Sequence, residues 1–210
     1  MAAVVTAKGR DVMTGRMRGS SPSQAEPLNL AWGNNPNSLT AAVTDVGLFK
    51  EASETRVAGT SSQQTTTTAS DTYQVTGTFT SASGQTIAEV ALSDASSKPF
   101  SFTWSTAPTG TGGTSGTASA SYTPANGTYV QCRGEVMQVT AGSGTTGLTL
   151  VRAANGSTAV TQSNGDTVTL GNIPGSTAGT NGTVFFHADH GSQTLAINDA
   201  VTYTLTVKIT

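Results

Sequence analysis

The segment Ala200-Val-Thr-Tyr-Thr-Leu-Thr-Val-Lys-Ile209 decides the fold class. Val201, Tyr203, Leu205, Val207 and Ile209 alternate with threonine and lysine. A period of two places one set of side chains on each side of a pleated backbone, so this is a strand half buried against a core. Working back from it, Thr72-Tyr-Gln-Val-Thr-Gly-Thr-Phe-Thr80 puts Tyr73, Val75 and Phe79 on one face. Thr86-Ile-Ala-Glu-Val-Ala-Leu92 puts Ala88, Val90 and Leu92 on one side. With the turn residues Ser83-Gly84 between them, these two segments predict a hairpin. From Leu28 onward, short alternating runs separated by Gly, Asn, Pro and Ser clusters are the punctuation of an all-β protein. One helical candidate stands apart, Asp45-Val-Gly-Leu-Phe-Lys-Glu-Ala-Ser-Glu-Thr-Arg56, in which Leu48, Phe49 and Ala52 could share a face.

Composition narrows the class further. The chain has 210 residues, enough for one large β domain or two small ones. Charged residues make up 10%, against an average near 25%, and Thr, Gly, Ala and Ser fill the space, which excludes long surface helices. A net charge of -2 gives no general attraction to nucleic acid or to an anionic membrane. No stretch approaches the roughly 18 consecutive apolar residues of a membrane span. The opening residues lack the basic start and apolar run of a signal peptide, so the expectation is a chain made and folded in the cytoplasm. Cys132 stands alone, which excludes a disulfide framework and a cysteine-based zinc site. With only 35% apolar residues, a thin core is expected, or one completed by a partner subunit.

Three regions follow. Residues 1–27 form a basic arm, with Lys8, Arg10, Arg16 and Arg18 against Asp11 and Glu26. Its apolar anchors are too few to offset an ordering entropy of about 1–2 kcal/mol per residue. The arm is therefore expected to be extended, either as a solvated or crystal-ordered tail or as an anchor held by a neighbouring subunit. In the second case Arg10, Arg16 and Arg18 would make bidentate contacts with an acidic surface, and Met13 and Met17 would fill shallow pockets. Residues 28–98 with 183–210 are expected to form a β-sandwich, Ig-like or jelly-roll-like. Residues 99–182 read as a small β lobe inserted in one of its loops. Low-complexity tracts at 109–117 and 174–182 resemble flexible connectors, and four strands lie between them: Thr128-Tyr-Val-Gln-Cys-Arg133, Glu135-Val-Met-Gln-Val-Thr140, Gly147-Leu-Thr-Leu-Val-Arg152 and Asp166-Thr-Val-Thr-Leu170.

Few residues suggest chemistry. His187-Ala-Asp-His190 is the one place where two histidines and a carboxylate crowd together. On a strand His187 and Asp189 share a face while His190 points away, so the segment reads as a polar strand end leading into the turn His190-Gly191-Ser192, not as a metal cage. Carboxylates are numerous enough to pair, but aromatics are 6%, and Trp32 and Trp104 are the only tryptophans available as sugar platforms. There is no Gly-Xaa-Ser-Xaa-Gly elbow and no phosphate-cradling loop. Asn126-Gly, Asn155-Gly and Asn181-Gly read as turn dipeptides that supply positive φ. The run Ser61-Ser-Gln-Gln-Thr-Thr-Thr-Thr68 is either disordered or an extended edge strand. No catalytic residue, cofactor site or metal site is expected.

The order Ala7-Lys-Gly9, Gly15-Arg-Met-Arg-Gly19, Trp32-Gly33, Gly47-Leu-Phe-Lys-Glu-Ala-Ser-Glu-Thr-Arg-Val-Ala-Gly-Thr60, Asp71 to Thr80, Ile87-Ala-Glu-Val-Ala-Leu92 and Asn198 to Val207 resembles a family of small structural proteins of tailed bacteriophages. The likeness covers about residues 5–98 and 183–210. Within the inserted lobe, Gly134 to Thr140, Leu148 to Arg152, Asn155 to Ala159 and Gly165 to Val168 are similar to a short β module that recurs in phage structural proteins. That pattern often has glycine after the arginine, where this chain has Ala153. The resemblance implies a capsid decoration or cement protein on the virion exterior. It would be a homo-oligomer, with a trimer first, whose partner is the major capsid protein and which touches neither nucleic acid nor membrane. Lys8, Arg10, Met13, Arg16, Met17 and Arg18 are then the candidate capsid contacts. A tail-fibre or receptor-binding component is the alternative, and a carbohydrate-binding module or glycan-processing enzyme a more distant one.

Overall fold

The computed structural model describes residues 2–19, 24–176 and 182–208. The chain forms β1 (Ala3–Val5), α1 (Ala7–Met17), β2 (Asn29–Gly33), β3 (Val57–Ala58), β4 (Thr60–Gln64), β5 (Thr72–Thr80), β6 (Gln85–Ser93), β7 (Ser101–Thr106), β8 (Ser115–Ala118), β9 (Tyr129–Cys132), β10 (Glu135–Ala141), β11 (Gly147–Val151), β12 (Thr167–Gly171), β13 (Val184–Leu195) and β14 (Ala200–Lys208). It is nearly all β. A five-stranded sheet has the order β1-β13-β6-β2-β3, a three-stranded sheet the order β14-β5-β4, and the six strands β7 to β12 close into a barrel.

The two open sheets share one core. Leu30, Trp32, Val90, Leu92 and Phe186 of the larger sheet meet Val75, Phe79, Leu205 and Val207 of the smaller. Trp32 stacks on Phe79 with ring centroids 4.5 Å apart. β14 buries Leu205 and Val207 and exposes the intervening threonines, as its period of two predicts, while Ile209 lies outside the described residues. The hairpin expected between residues 72 and 92 does not form. β5 pairs with β14 and β4, whereas β6 pairs with β13 and β2 in the other sheet. The 81–84 turn carries the chain from one layer to the other, and the β13–β14 turn holds it there: Ser81 N–H donates to Asp199 O (2.9 Å) and Asn198 N–H to Ser81 O (2.8 Å). Alternation along each strand sets which face is buried, but it does not set which neighbour is paired.

The start of the chain is not an extended arm in this structure. β1 pairs with β13, Val4 opposite His187, and Thr6 caps a helix. The Thr6 hydroxyl accepts from Gly9 N–H (3.0 Å) and donates to Val184 O (2.6 Å). That places α1 directly on β13. A Cβ at residue 9 would collide with the Phe185 backbone, so glycine there lets helix and strand touch. Pairing of β1 with β13 and the Thr6 cap contribute to offsetting the entropy of ordering this segment.

The helix expected over residues 45–56 is absent. The N–H groups of Val46 and Gly47 donate to Gln131 Oε1 (2.6 and 3.3 Å), and those of Phe49 and Lys50 donate to the Glu89 carboxylate (2.9 and 2.8 Å). Those donors, committed to side chains of the barrel and the sheet, cannot build a helical ladder.

The barrel has a separate core of Trp104, Tyr122, Val130, Met137, Leu148, Leu150 and Val168, among others. Its four strands expected from sequence are β9 to β12. β7 and β8 complete it, and β8 takes up the end of the tract expected to be a flexible connector. The 174–182 tract lies largely outside the described residues. Positive φ occurs at Gly127, Asn155 and Gly156, as the Asn-Gly dipeptides suggest, while Asn181 is outside the described residues. Ser61 to Gln64 lie in edge strand β4. The following Thr66, Thr67 and Thr68 donate their N–H groups to the Asp71 carboxylate, which together hold that carboxyl well below the usual range.

Ala153 occupies the left-handed region at φ 51°, where an L side chain costs about 1 kcal/mol relative to glycine. Its N–H is held there by Glu135 Oε1 at 3.0 Å. We expect Ala153→Gly to stabilise the chain by about 0.5–1 kcal/mol, seen as a rise of about 2 °C in a calorimetric melt. An unchanged or lower Tm would contradict the strained backbone.

Candidate contact surface and the buried ionic anchors

His187 is fully buried on the face of the larger sheet opposite the shared core. Its Nδ1 lies 2.8 Å from Asp45 Oδ2 and its Nε2 3.1 Å from Glu89 Oε2. All three side chains are closed to solvent. Burial alone would lower the histidine pKa, but the hydrogen bonds and charges of the two carboxylates outweigh it and push it up to about 9. Phe49 lies against the imidazole at a centroid distance of 4.9 Å. Glu89 also accepts from Asn35 N–H (3.3 Å) besides those of Phe49 and Lys50, and Asp45 accepts from Ala42 N–H (2.7 Å). Asp189, on the same strand, accepts from Ala41 and Ala2 N–H (2.8 and 2.9 Å). Together these acceptors strap residues 34–50 across the sheet. Leu48 then packs on Ala31, Ala91 and Val184.

The barrel has an equivalent anchor. Arg152 makes a two-pronged bond to buried Glu135 (Nε to Oε1 2.7 Å, Nη2 to Oε2 2.6 Å) and also donates to the Gly113 and Val160 carbonyls. Burial would raise the Glu135 pKa, yet Arg152 and the N–H groups of Val160 and Ala153 hold it below its ordinary value. Gln162 joins Glu135 to the Trp104 indole, whose N–H donates to Gln162 Oε1 at 2.6 Å. A third pair, Arg56 with Glu51 (2.8 Å), is also buried and reaches Ser93. Cys132 lies inside the barrel, where burial pushes its thiol up to about 12 and keeps it protonated.

Sequence reasoning found His187 and Asp189 on one face but missed Asp45 and Glu89 as partners of the imidazole. Asp45 lay inside the expected helix, and Glu89 looked like the outward polar residue of a half-buried strand. The signal available was Glu89 within an otherwise apolar strand.

The candidate contacts divide. Lys8 is buried, with its ammonium on Asp11 Oδ2 (2.8 Å) and Ser176 O (2.9 Å), and half-buried Met13 packs against the core shared by the two sheets. Both are committed within the chain. Arg10, Arg16, Met17 and Arg18 are exposed, Met17 to 78%, and Arg16 reaches the Gln24 carbonyl at 2.7 Å. Arg16, Met17 and Arg18 form a basic patch with one apolar tip at the end of α1, and Arg10 lies about two turns earlier on the helix. Both tryptophans are 1% exposed, each inside a core, and present no face to a sugar. A concavity of about 950 Å³ runs between β14 and the β1–β13 edge and is lined by none of the three ionic anchors. Comparison with protein-family models, with curated proteins and with solved structures finds no match to this chain.

The His187 anchor makes stability depend on pH. A histidine whose pKa is raised contributes fully below about 6.5 and loses that contribution as pH rises through about 9. The unfolding free energy from urea melts should therefore fall between pH 6.5 and 9, by an amount on the order of 3 kcal/mol. His187→Leu leaves two buried carboxylates facing an apolar group, and is expected to cost about 3–5 kcal/mol at pH 6 and to flatten that pH dependence. A variant with the wild-type pH profile would show that the imidazole is not charged in the fold.

Proposed function

We propose that this chain is a structural protein of a bacteriophage particle, a decoration or cement protein that sits on the capsid exterior and bridges neighbouring major capsid protein subunits. The observation that carries this reading is the use to which the ionisable groups are put. His187, Asp45, Glu89, Glu135 and Arg56 are buried, the side chains of Arg152 and Glu51 that pair with them are largely covered, and all are tied to backbone or to each other, so their charge holds loops in place. What faces outward is threonine-lined strand, the basic end of α1 and an open groove. Such a surface suits adhesion between folded bodies. The sequence likeness to phage structural proteins points the same way.

The mechanism is additive contact. A protein that binds only the assembled lattice shifts assembly toward it by mass action, with no turnover. An interface of about 1,200–2,000 Å² per site, repeated over a shell, is sufficient. An oligomer, a trimer first, multiplies each contact through effective concentration. Because β1 is a strand of the larger sheet and α1 packs on β13, contact by the N-terminal segment is tested by point changes and not by truncation.

Purified protein mixed with undecorated heads should appear in images as regular density over capsomer junctions. Density confined to the tail, or none, would overturn the reading. Reversing two exposed charges, Arg10→Glu with Arg18→Glu, should weaken attachment about tenfold or more while shifting stability by less than about 0.5 kcal/mol. Attachment that is indifferent both to this change and to salt would remove the basic patch from the interface.

A further inference from the structure

β14 ends the three-stranded sheet: it pairs with β5 on one side and with no strand among the described residues on the other. The larger sheet reaches further, and Ala3 and Val5 of β1 with Phe186 and Ala188 of β13 line the groove of about 950 Å³ beside that free edge. Every residue from 201 to 208 lines it. For Val201, Tyr203, Leu205 and Val207 this follows from their inward side chains. Thr202 and Thr204 point the other way, with their hydroxyls bonded to those of Thr78 (2.7 Å) and Thr76 (3.2 Å), so they meet the groove through their backbone.

The phase of the ladder agrees. Ser81 N–H donates to Asp199 O, and stepping by two along the register makes Val201, Tyr203, Leu205 and Val207 the residues that exchange bonds with β5. Thr202, Thr204 and Thr206 therefore turn their N–H and C=O groups toward the groove. A row of donors and acceptors repeating every two residues, about 6.8 Å, over an apolar floor matches an extended backbone and not a compact ligand.

We propose that this groove receives a single extended strand donated by a chain of a different kind, which pairs with the free edge of β14 and lays alternate apolar side chains onto Val5, Phe186 and Ala188. A second copy docked antiparallel through β14 would drive its own overhanging β1 into the space that β1 already fills, so the donor is a separate linear segment with apolar and polar residues in alternation. The identity of the donor as a capsid neighbour rests on the function proposed above; the addition of a strand does not.

The full chain mixed with the synthetic peptide Lys-Thr-Val-Thr-Val-Thr-Val-Thr-Lys gives a direct test by amide hydrogen exchange. The amides of Thr202, Thr204 and Thr206 should slow at least about tenfold, while those of Val201, Tyr203 and Leu205, already bonded to β5, stay as they were. No slowing at millimolar peptide would overturn the proposal. So would equal slowing from the protein alone as its concentration rises, which would assign the edge to a second copy. On shells, Thr204→Pro removes one outward N–H at an edge where proline is tolerated, and Ala3→Glu puts a charge on the groove floor without touching β14. Each should retain the wild-type circular dichroism and lose attachment about tenfold. If the wild type attaches and both folded variants attach equally well, the groove is not the docking site although the cement reading survives. If the wild type does not attach but the peptide protects those three amides, the cement reading fails and the groove stands.

Discussion

Desolvation of His187 between Asp45 and Glu89 is the constraint on which the arrangement of this chain depends. An imidazolium with two carboxylates out of water is costly unless their polar atoms are satisfied; here backbone N–H groups of residues 35–50 serve both Glu89 oxygens and Asp45 Oδ2, while Asp45 Oδ1 has no hydrogen-bond partner among the described residues. The cluster therefore cannot form without that segment lying flat on the sheet. Once there, the same segment offers Val46 and Gly47 to Gln131 on the barrel, and Gly171 of β12 admits Val46 so closely that a Cβ would collide with it. One buried charge cluster thus fixes the covering of the sheet and the seating of the barrel against it.

This economy fits the composition. A chain with 35% apolar residues has little greasy surface to spend on packing loops, and its loops are long. Side-chain acceptors take over: Glu89, Gln131, Glu135, Asp71 and Asp189 each gather two or more backbone donors. Each such bond contributes modestly, about 1 kcal/mol, but an unmade one in a buried loop costs more than that. Apolar residues gather in one cluster between the two layers, one within the barrel and a small third under Leu48. The scarcity of apolar residues is felt in the connections.

Much of the strand content was legible in the sequence. β14 and the four barrel strands β9 to β12 could be read because alternation with threonine, or short apolar runs bounded by glycine and asparagine, is a local property. Partner choice is not local, which is why β5 and β6 looked like a hairpin although they belong to different layers. The 45–56 stretch looked helical because Leu48, Phe49 and Ala52 have helical spacing; the acceptors that unwind it, Glu89 and Gln131, lie about 40 and 85 residues away in the chain. The helix that does exist was hidden for the opposite reason. α1 contains Gly9 and Gly15, poor helix material, and it forms because Thr6 caps it and Gly9 permits contact with β13.

The free edge of β14 raises the question of how a nine-residue strand with an unpaired row of backbone groups avoids pairing indiscriminately. Its devices are visible. The outward face is a ladder of threonine pairs that offers no apolar stripe, Lys208 stands at one end, and β1 overhangs the edge so that a flat sheet edge cannot approach it. These features block association between broad edges while leaving room for a single strand. Tyr203 of this strand meets His190 Nε2 with its hydroxyl at 2.8 Å across the open end of the two layers. That bond, together with the β13 bulge between Asp189 and Gln193, keeps the layers at a fixed spacing beside the groove. A preformed slot costs an incoming strand less ordering than one that must open first, which makes an edge of this kind better suited to tight, repeated contact than to transient encounter.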